Sequence, residues 1–154
     1  MTAITESVEI DRSPEEVFAY LDDLARHGEW QDQIVSTNVD TSGKTTVGTT
    51  VTETRRVGGH EHQITYVITE HDPPRSFAFR GVDGPLRPVG KGVIEPLDDG
   101  TRSQVTIELD FQAHGLVGKM LLPMARSQAR KQLPNDQQRL KERLEAEHHS
   151  PGAP

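Results

Sequence analysis

The chain lacks cysteine and contains few aromatic or apolar residues. Of its 154 residues, 5% are aromatic, 32% are hydrophobic and none is cysteine. The absence of cysteine excludes a disulfide framework and thiol chemistry. No stretch approaches the roughly 20 apolar residues of a membrane span, and the first residues lack the basic and apolar regions of a signal peptide. We therefore expect a cytoplasmic protein without membrane insertion, whose core is small or shared with a cavity.

Acidic residues outnumber basic ones, 24 to 17, which gives a formal net charge of −7. This balance argues against nucleic acid and anionic membranes as main partners. The length suits a single domain. We predict that this domain covers residues 1–147 and that a polar, flexible tail follows at 148–154.

The motifs of nucleophilic and phosphate-binding enzymes are also missing. There is no G-x-S-x-G and no glycine-rich phosphate loop. His60 and His62 share one strand face, as metal ligands might. A third ligand would have to come from Glu53, Glu70 or a distant residue, and no ligand cluster is evident. The sequence therefore predicts neither a metal site nor a cofactor.

The first forty residues predict a strand, two short helices and a second strand. Apolar and polar residues alternate from Ile4 to Ile10, as in a half-buried strand. Ser13 then forms a capping box with Glu16. A second short helix is expected near Leu24 to His27, and another strand from Ile34 to Asp40.

Two β-rich stretches, Val47–Val57 and His60–Asp72, flank a Gly58-Gly59 pair that predicts a two-residue hairpin loop. Paired residues in an antiparallel hairpin share a face of the sheet. The expected pairs are Val57–His60, Arg55–His62, Glu53–Ile64, Val51–Tyr66 and Thr49–Ile68. The apolar members of one face, Val51, Ile64, Tyr66 and Ile68, define it as the inner face. A turn at Pro73-Pro74 would extend this face by pairing Glu70 with Phe77 and Ile68 with Phe79.

The second half of the chain predicts two more strands and one long helix. Residues 81–92 suggest a loop and then an irregular strand ending at Pro96. Asp99-Gly100 predicts a hairpin that pairs Ile94 with Val105. From Leu116 to Glu147 the sequence favours a continuous helix, bent by internal prolines, with Met120 and Met124 facing the sheet.

This order predicts an α+β fold, in which a curved antiparallel sheet of about seven strands wraps around the C-terminal helix. Five motifs strengthen the prediction, namely residues 8–18, Glu29-Trp30, 67–75, 94–96 with 100–102, and Leu122-Pro123. In this order the chain resembles the helix-grip fold of the START-like, or SRPBCC, superfamily, and especially its polyketide cyclase/dehydrase-like branch. The resemblance implies that a hydrophobic or amphipathic small molecule binds between sheet and helix. Only some members are enzymes. Members vary at the cavity-lining positions that decide activity, so the resemblance implies no catalytic residue.

The residues expected to line the binding site mix apolar and polar side chains. They are Trp30, Val51, Arg55, His62, Tyr66, Ile68, Phe77, Phe79, Met120 and Met124. In this interpretation Arg55, His62 or Tyr66 orients the ligand. Alternatively, Glu53 and Arg55 form a purely structural ion pair near the solvent-exposed end of the hairpin.

Three functions remain open at this point. The first is binding of a small hydrophobic or aromatic molecule. The second is an aromatase/cyclase or dehydrase that uses His62 with Tyr66 or Glu53 as an acid/base pair. The third, a protein-binding module, would need an exposed apolar patch that the sequence does not reveal.

Overall fold

The computed structural model describes residues 3–39, 44–57 and 59–147. Its strands are β1 (Ile4–Ile10), β2 (Ile34–Val39), β3 (Thr50–Val57), β4 (His60–Asp72), β5 (Ser76–Gly81), β6 (Leu86–Leu97) and β7 (Arg102–Ala113). Its helices are α1 (Pro14–Asp22), a 3₁₀ helix (Leu24–Glu29), a short 3₁₀ turn (Asp98–Gly100) and α2 (Gly115–Glu147). The strands form one antiparallel sheet in the order β1-β7-β6-β5-β4-β3-β2. The predicted helix-grip fold is confirmed.

Helix α1 begins where the sequence places its cap. The Glu16 backbone N–H donates to Ser13 Oγ at 3.3 Å, and the Glu16 carboxylate accepts from the Ser13 backbone N–H at 3.4 Å. These two bonds satisfy donors that the first turn would otherwise leave unpaired. The helix buries Val17, Phe18 and Leu21 against the core.

The central hairpin has the predicted register. Val57 pairs with His60, Val51 with Tyr66, and the pairs between them agree with the expected ones. Gly58 and the end of the predicted second strand at Asp40 lie outside the described residues. Strand β3 begins at Thr50 rather than Val47, because residues 46–49 form a turn in which Gly48 has a positive φ of 95°.

A bulge in β4 overturns one predicted pair. The register shifts between Ile68 and Glu70, so that Glu70 pairs with Ala78 and His71 pairs with Phe77. The prediction that Glu70 faces Phe77 is therefore wrong, whereas the Ile68–Phe79 pair is confirmed. The bulge keeps the Glu70 carboxylate out of the apolar face, where an unpaired charge would be costly.

Strand β6 is regular over its whole length. It pairs with β7 from Leu86–Ala113 to Leu97–Arg102, including the predicted pair Ile94–Val105. The predicted loop is present at residues 82–85 and the strand ends at Leu97, one residue beyond the predicted Pro96, but the prediction that this strand is irregular is wrong. Gly90 and Gly92 explain the difference, because the rings of Phe79 and Phe77 lie over them in the space that a Cβ atom would occupy. The glycines thus permit close packing without breaking the strand.

Helix α2 is continuous through Pro123 and Pro134. It packs mainly against β1 and β7. Its buried positions include Ala129, Leu133, Leu140 and Leu144. At about 100° per residue, this stripe points away from the Met120–Met124 stripe by more than a quarter turn. The prediction that Met120 and Met124 face the sheet is therefore wrong, and both side chains are exposed.

The core divides into two clusters. The first joins α1 and α2 to β1, β6 and β7, with Ile10, Ile94, Val105 and Leu140 nearly inaccessible to solvent. The second cluster lies on β3 and β4. It contains Leu24, Val51, Tyr66 and Ile68, with Val39, Ile64 and Phe79 packed against it. In the described part of the chain, no residue of α2 belongs to this second cluster.

Candidate functional site

A buried polar network adjoins the second cluster, and its centre is Glu53 on β3. The Glu53 side chain is only 3% exposed. Tyr66 Oη donates to Glu53 Oε2 at 2.8 Å, and Arg55 Nε donates to Glu53 Oε1 at 3.2 Å. His27 Nδ1 lies 3.7 Å from the same carboxylate. Strand alternation explains the grouping of Glu53 and Arg55, which share a face, and the hairpin register places Tyr66 beside Glu53.

The network holds Glu53 ionised. Burial raises the pKa of Glu53, but His27, the charge of Arg55 and the Tyr66 hydroxyl together outweigh burial and lower this pKa to about 2. Burial, with the adjacent Glu53 carboxylate, raises the pKa of Tyr66 well above its usual value. At neutral pH the network therefore presents a carboxylate that acts only as an acceptor and a phenol that acts as a donor.

The 3₁₀ helix fixes the other side of this network. Arg55 Nη2 donates to Gln31 Oε1, just beyond that helix. His27 Nε2 donates to the Leu21 carbonyl at 2.8 Å, and the His27 and Trp30 rings meet with centroids 5.5 Å apart. Trp30 is buried, and its Nε1 has no hydrogen-bond partner within the described residues. The site therefore contains a buried donor that a bound molecule or water would satisfy.

Helix α2 brings a second carboxylate, Asp136, to the interior. Gln132 Nε2 donates to Asp136 Oδ1 at 2.8 Å and to Asp32 Oδ1 at 2.7 Å. Burial raises the pKa of Asp136 to about 6, although the Gln132 bond and the charge of Arg55 oppose this shift. Glu53 and Asp136 therefore differ in protonation: Glu53 stays ionised near neutral pH, whereas Asp136 gains or loses its proton in this range.

A groove lies beside the second cluster. It has a volume of about 550 Å³ and is lined by Ala19, Asp22, Asp23, Leu24, Ala25, Val39, Lys44, Thr45, His71 and Pro73. Leu24 and Val39 belong to both the groove and the second cluster. His71 Nε2 pairs with Asp22 Oδ1 at 2.9 Å on its wall.

The structure groups most of the expected site residues but not all of them. Val51, Tyr66, Ile68 and Phe79 meet in the second cluster, and Arg55 and Trp30 border the polar network. Phe77 packs instead against the first cluster and against Phe18, at a ring distance of 6.3 Å.

His62 is exposed, as are all residues from His60 to Gln63. It pairs with Arg55 in register, but this end of the hairpin extends into solvent on both faces. His62 therefore does not join Tyr66 and Glu53 in the interior, as the acid/base hypothesis required.

Three residues of the network were missed by sequence reasoning. His27, Gln31 and Asp136 come from segments whose side-chain directions depend on how the helices pack. The signal that could have revealed Asp136 is its position in α2, three residues after Leu133 and four before Leu140, which places it on the buried stripe. Within the described residues, no three His, Asp or Glu side chains converge in a way that could hold a metal ion.

Comparison with known families agrees with this geometry. The family model described as "Polyketide cyclase / dehydrase and lipid transport" matches residues 1–145. The chain belongs to this family. No curated protein is significantly similar to it in sequence.

Solved structures of the same fold come from several bacteria. A START superfamily protein from Mycobacterium smegmatis is 15% identical with a TM-score of 0.77, over 94% of this chain and 97% of that protein. The Zhui aromatase/cyclase from Streptomyces sp. R1128 is 16% identical with a TM-score of 0.76, over 93% of each chain. The protein TTHA0849 from Thermus thermophilus is 17% identical with a TM-score of 0.76, over 94% of this chain and 97% of that protein. At these identities the similarity shows the fold alone.

In the three described ranges of the chain, no helix is both long and apolar enough to cross a membrane.

Proposed function

We propose that this member of the polyketide cyclase/dehydrase and lipid transport family binds a small hydrophobic or aromatic molecule that has one polar end. The ligand lies between the sheet and α2, on the inner face of β3, β4 and β5. The observation that carries the proposal is the pairing of the second cluster with the buried polar network. The cytoplasmic location expected from the sequence stays part of this proposal.

The polar end of the ligand meets donors. Arg55 uses Nε for Glu53 and Nη2 for Gln31, and its Nη1 has no partner in the described part of the chain. Trp30 Nε1 is a second donor without a partner there. Glu53 is ionised and can only accept hydrogen bonds. A carboxylate or carbonyl on the ligand would therefore bind these two N–H donors rather than Glu53. The network therefore favours ligands with an anionic or carbonyl end.

We expect the apolar body of the ligand to lie against Leu24, Val39 and Phe79. Val51 and Ile68, which are 0% and 4% exposed, form the packed wall behind them. Burial of apolar ligand surface contributes roughly 25 cal/mol per Å², from which the entropic costs of association are subtracted. The adjoining groove, at about 550 Å³, falls within the ordinary range of small-molecule sites. We propose that the groove is the route to this face, since it shares Leu24 and Val39 with the second cluster.

Titration with 1-anilinonaphthalene-8-sulfonate tests this function, because the probe combines an aromatic body with an anion. We expect saturable fluorescence with one site, weakened on the order of tenfold in Arg55→Met, since a charged hydrogen bond contributes about 1.5–3 kcal/mol. Arg56→Met is the matched control, because Arg56 is exposed on the opposite face of β3. Equal loss in both variants, or no saturable binding, would contradict the proposal.

A second candidate function is catalysis in the same place. The observation that favours it is Asp136, whose pKa of about 6 suits a general acid or base at neutral pH. The Zhui protein from Streptomyces is an aromatase/cyclase, and this is the reaction class to test. Loss of turnover of an aromatic polyketide substrate in Asp136→Asn, with probe binding retained, would establish an enzyme. Retained turnover in this variant would show that Asp136 takes no part in the reaction.

A further inference from the structure

The first three turns of α2 present an apolar stripe to solvent. Leu116, Val117, Met120 and Met124 are 74%, 59%, 71% and 62% exposed. At about 100° per residue, these four positions fall within an arc of about 100°. On the opposite side of these turns Gly118 is buried, and further along the helix the same side carries the buried residues Ala129 and Leu133. An ordinary surface helix would place polar residues on this arc, so the stripe is an exposed patch of the kind that marks an interaction surface.

The stripe lies in a basic part of an acidic protein. Residues 111–135 include four basic residues and no acidic residue, although the whole chain carries −7. Arg126 is engaged with Asp110 at 3.0 Å. The other three, Lys119, Arg130 and Lys131, are exposed. At about 100° per residue, these three side chains flank or overlap the apolar arc.

The loop between β5 and β6 packs against the first turns of α2 on the side opposite the stripe. The His114 backbone N–H donates to the Pro85 carbonyl at 2.8 Å, and the Pro85 carbonyl also fills the space beside Gly118 where a Cβ atom would lie. Val82 in this loop is 40% exposed. Asp83, which is also exposed, is the acidic residue of the loop.

A basic, apolar surface fits an anionic bilayer better than it fits a second copy of the chain. Two copies that pair through this stripe would bring their Lys119, Arg130 and Lys131 groups together, and like charges oppose such contact. Anionic lipids instead supply opposite charge beside an apolar interior. The acidic remainder of the protein does not prevent docking, because charges more than about 8 Å away are screened at physiological salt.

We propose that the first five turns of α2 dock on the surface of an anionic lipid bilayer. Leu116, Met120 and Met124 enter the boundary between headgroups and acyl chains, while Lys119, Arg130 and Lys131 contact the lipid phosphates. The helix lies along the membrane and does not cross it. This docking goes beyond the small-molecule binding proposed above, and it does not depend on a ligand in the interior.

Co-flotation with vesicles tests the docking. The full chain is mixed with phosphatidylcholine vesicles that contain about 30% phosphatidylglycerol or none. We expect flotation with the anionic vesicles, weakened by rising salt. The double variants Leu116→Asp/Met120→Asp and Lys119→Glu/Lys131→Glu should each lose binding on the order of tenfold or more. The matched control is Val35→Asp/Val47→Asp, which changes two exposed valines away from α2 and should float like the unchanged protein.

Circular dichroism and the thermal midpoint establish that each variant is folded. Failure of the unchanged protein to float, or equal flotation of the Leu116→Asp/Met120→Asp variant, would overturn the proposal. So would a concentration-dependent dimer that only the stripe variants abolish, since that result would assign the surface to a second copy of the chain.

Discussion

Substitution of Glu53 by glutamine tests the electrostatics of the polar network. The substitution keeps the shape of the side chain but removes the charge that Arg55 and His27 face. In the folded protein the pKa of Glu53 is lowered from its ordinary value of 4.5 to about 2. One unit of pKa shift corresponds to about 1.4 kcal/mol, so the lowered pKa of Glu53 stabilises the fold by about 3 kcal/mol at neutral pH. We therefore expect Glu53→Gln to lower the free energy of unfolding by about this amount at pH 7.

The pH dependence gives the sharper readout. A lowered carboxyl pKa stabilises the fold fully above the unfolded value of 4.5, and this contribution is lost as the pH falls towards 2. The cost of Glu53→Gln should therefore shrink by about 2 kcal/mol between pH 7 and pH 3. Urea unfolding, followed by the fluorescence of the single tryptophan, measures it at each pH. Glu95→Gln, at an exposed position, should show no comparable change. A cost of Glu53→Gln that is the same at both pH values would refute the reasoning.

Three further substitutions test the same interior by urea unfolding. Tyr66→Phe should cost about 1.5–3 kcal/mol at pH 7, and much less in the Glu53→Gln background, because it removes a hydrogen bond to a charged acceptor. Asp136→Asn should stabilise the fold by about 3 kcal/mol at pH 7 but hardly at all at pH 3. A carboxyl pKa raised from 3.8 to about 6 destabilises the fold increasingly above 3.8, and this penalty is absent below that value. Gly92→Ala should cost about 1–3 kcal/mol by clashing with the phenylalanine ring above it, whereas Gly28→Ala, which meets only ordinary contacts, should be near neutral.

The hairpin could be predicted because its register depends on local chemistry. A two-residue glycine loop fixes which residues pair, and the alternation of Val51 and Tyr66 with polar neighbours fixes the buried face. The bulge after Ile68 could not be predicted in this way. It places Glu70 within reach of Ser76 and Lys91, contacts across β5 and β6 that the alternation of β4 alone does not reveal.

The choice of the buried face of α2 shows a second limit of prediction from sequence. Its sequence contains two apolar stripes, and periodicity alone gives no reason to bury one rather than the other. The fold buries the stripe that includes Leu133 and Leu140, which leaves Met120 and Met124 in solvent. The same ambiguity hid Asp136 from sequence reasoning, and it also hid the exposed apolar patch.

The polar network was only partly predictable. Glu53, Arg55 and Tyr66 share a predicted face, so strand alternation groups them. His27 reaches them from an irregular 3₁₀ helix, whose side-chain directions have no period that the sequence reveals. The overall charge of −7 also conceals the basic character of residues 111–135, because it averages over the whole chain.

The most direct test of the central claim is the indole resonance of Trp30 during a titration with 1-anilinonaphthalene-8-sulfonate. The chain has one tryptophan, so a ¹H–¹⁵N spectrum contains a single indole N–H signal. That N–H is buried beside the polar network and has no partner within the described residues. If a small amphipathic molecule binds in the interior, this resonance shifts saturably as the probe binds. If only exposed amides shift while the indole signal stays fixed, the molecule does not bind in the interior and the account is wrong.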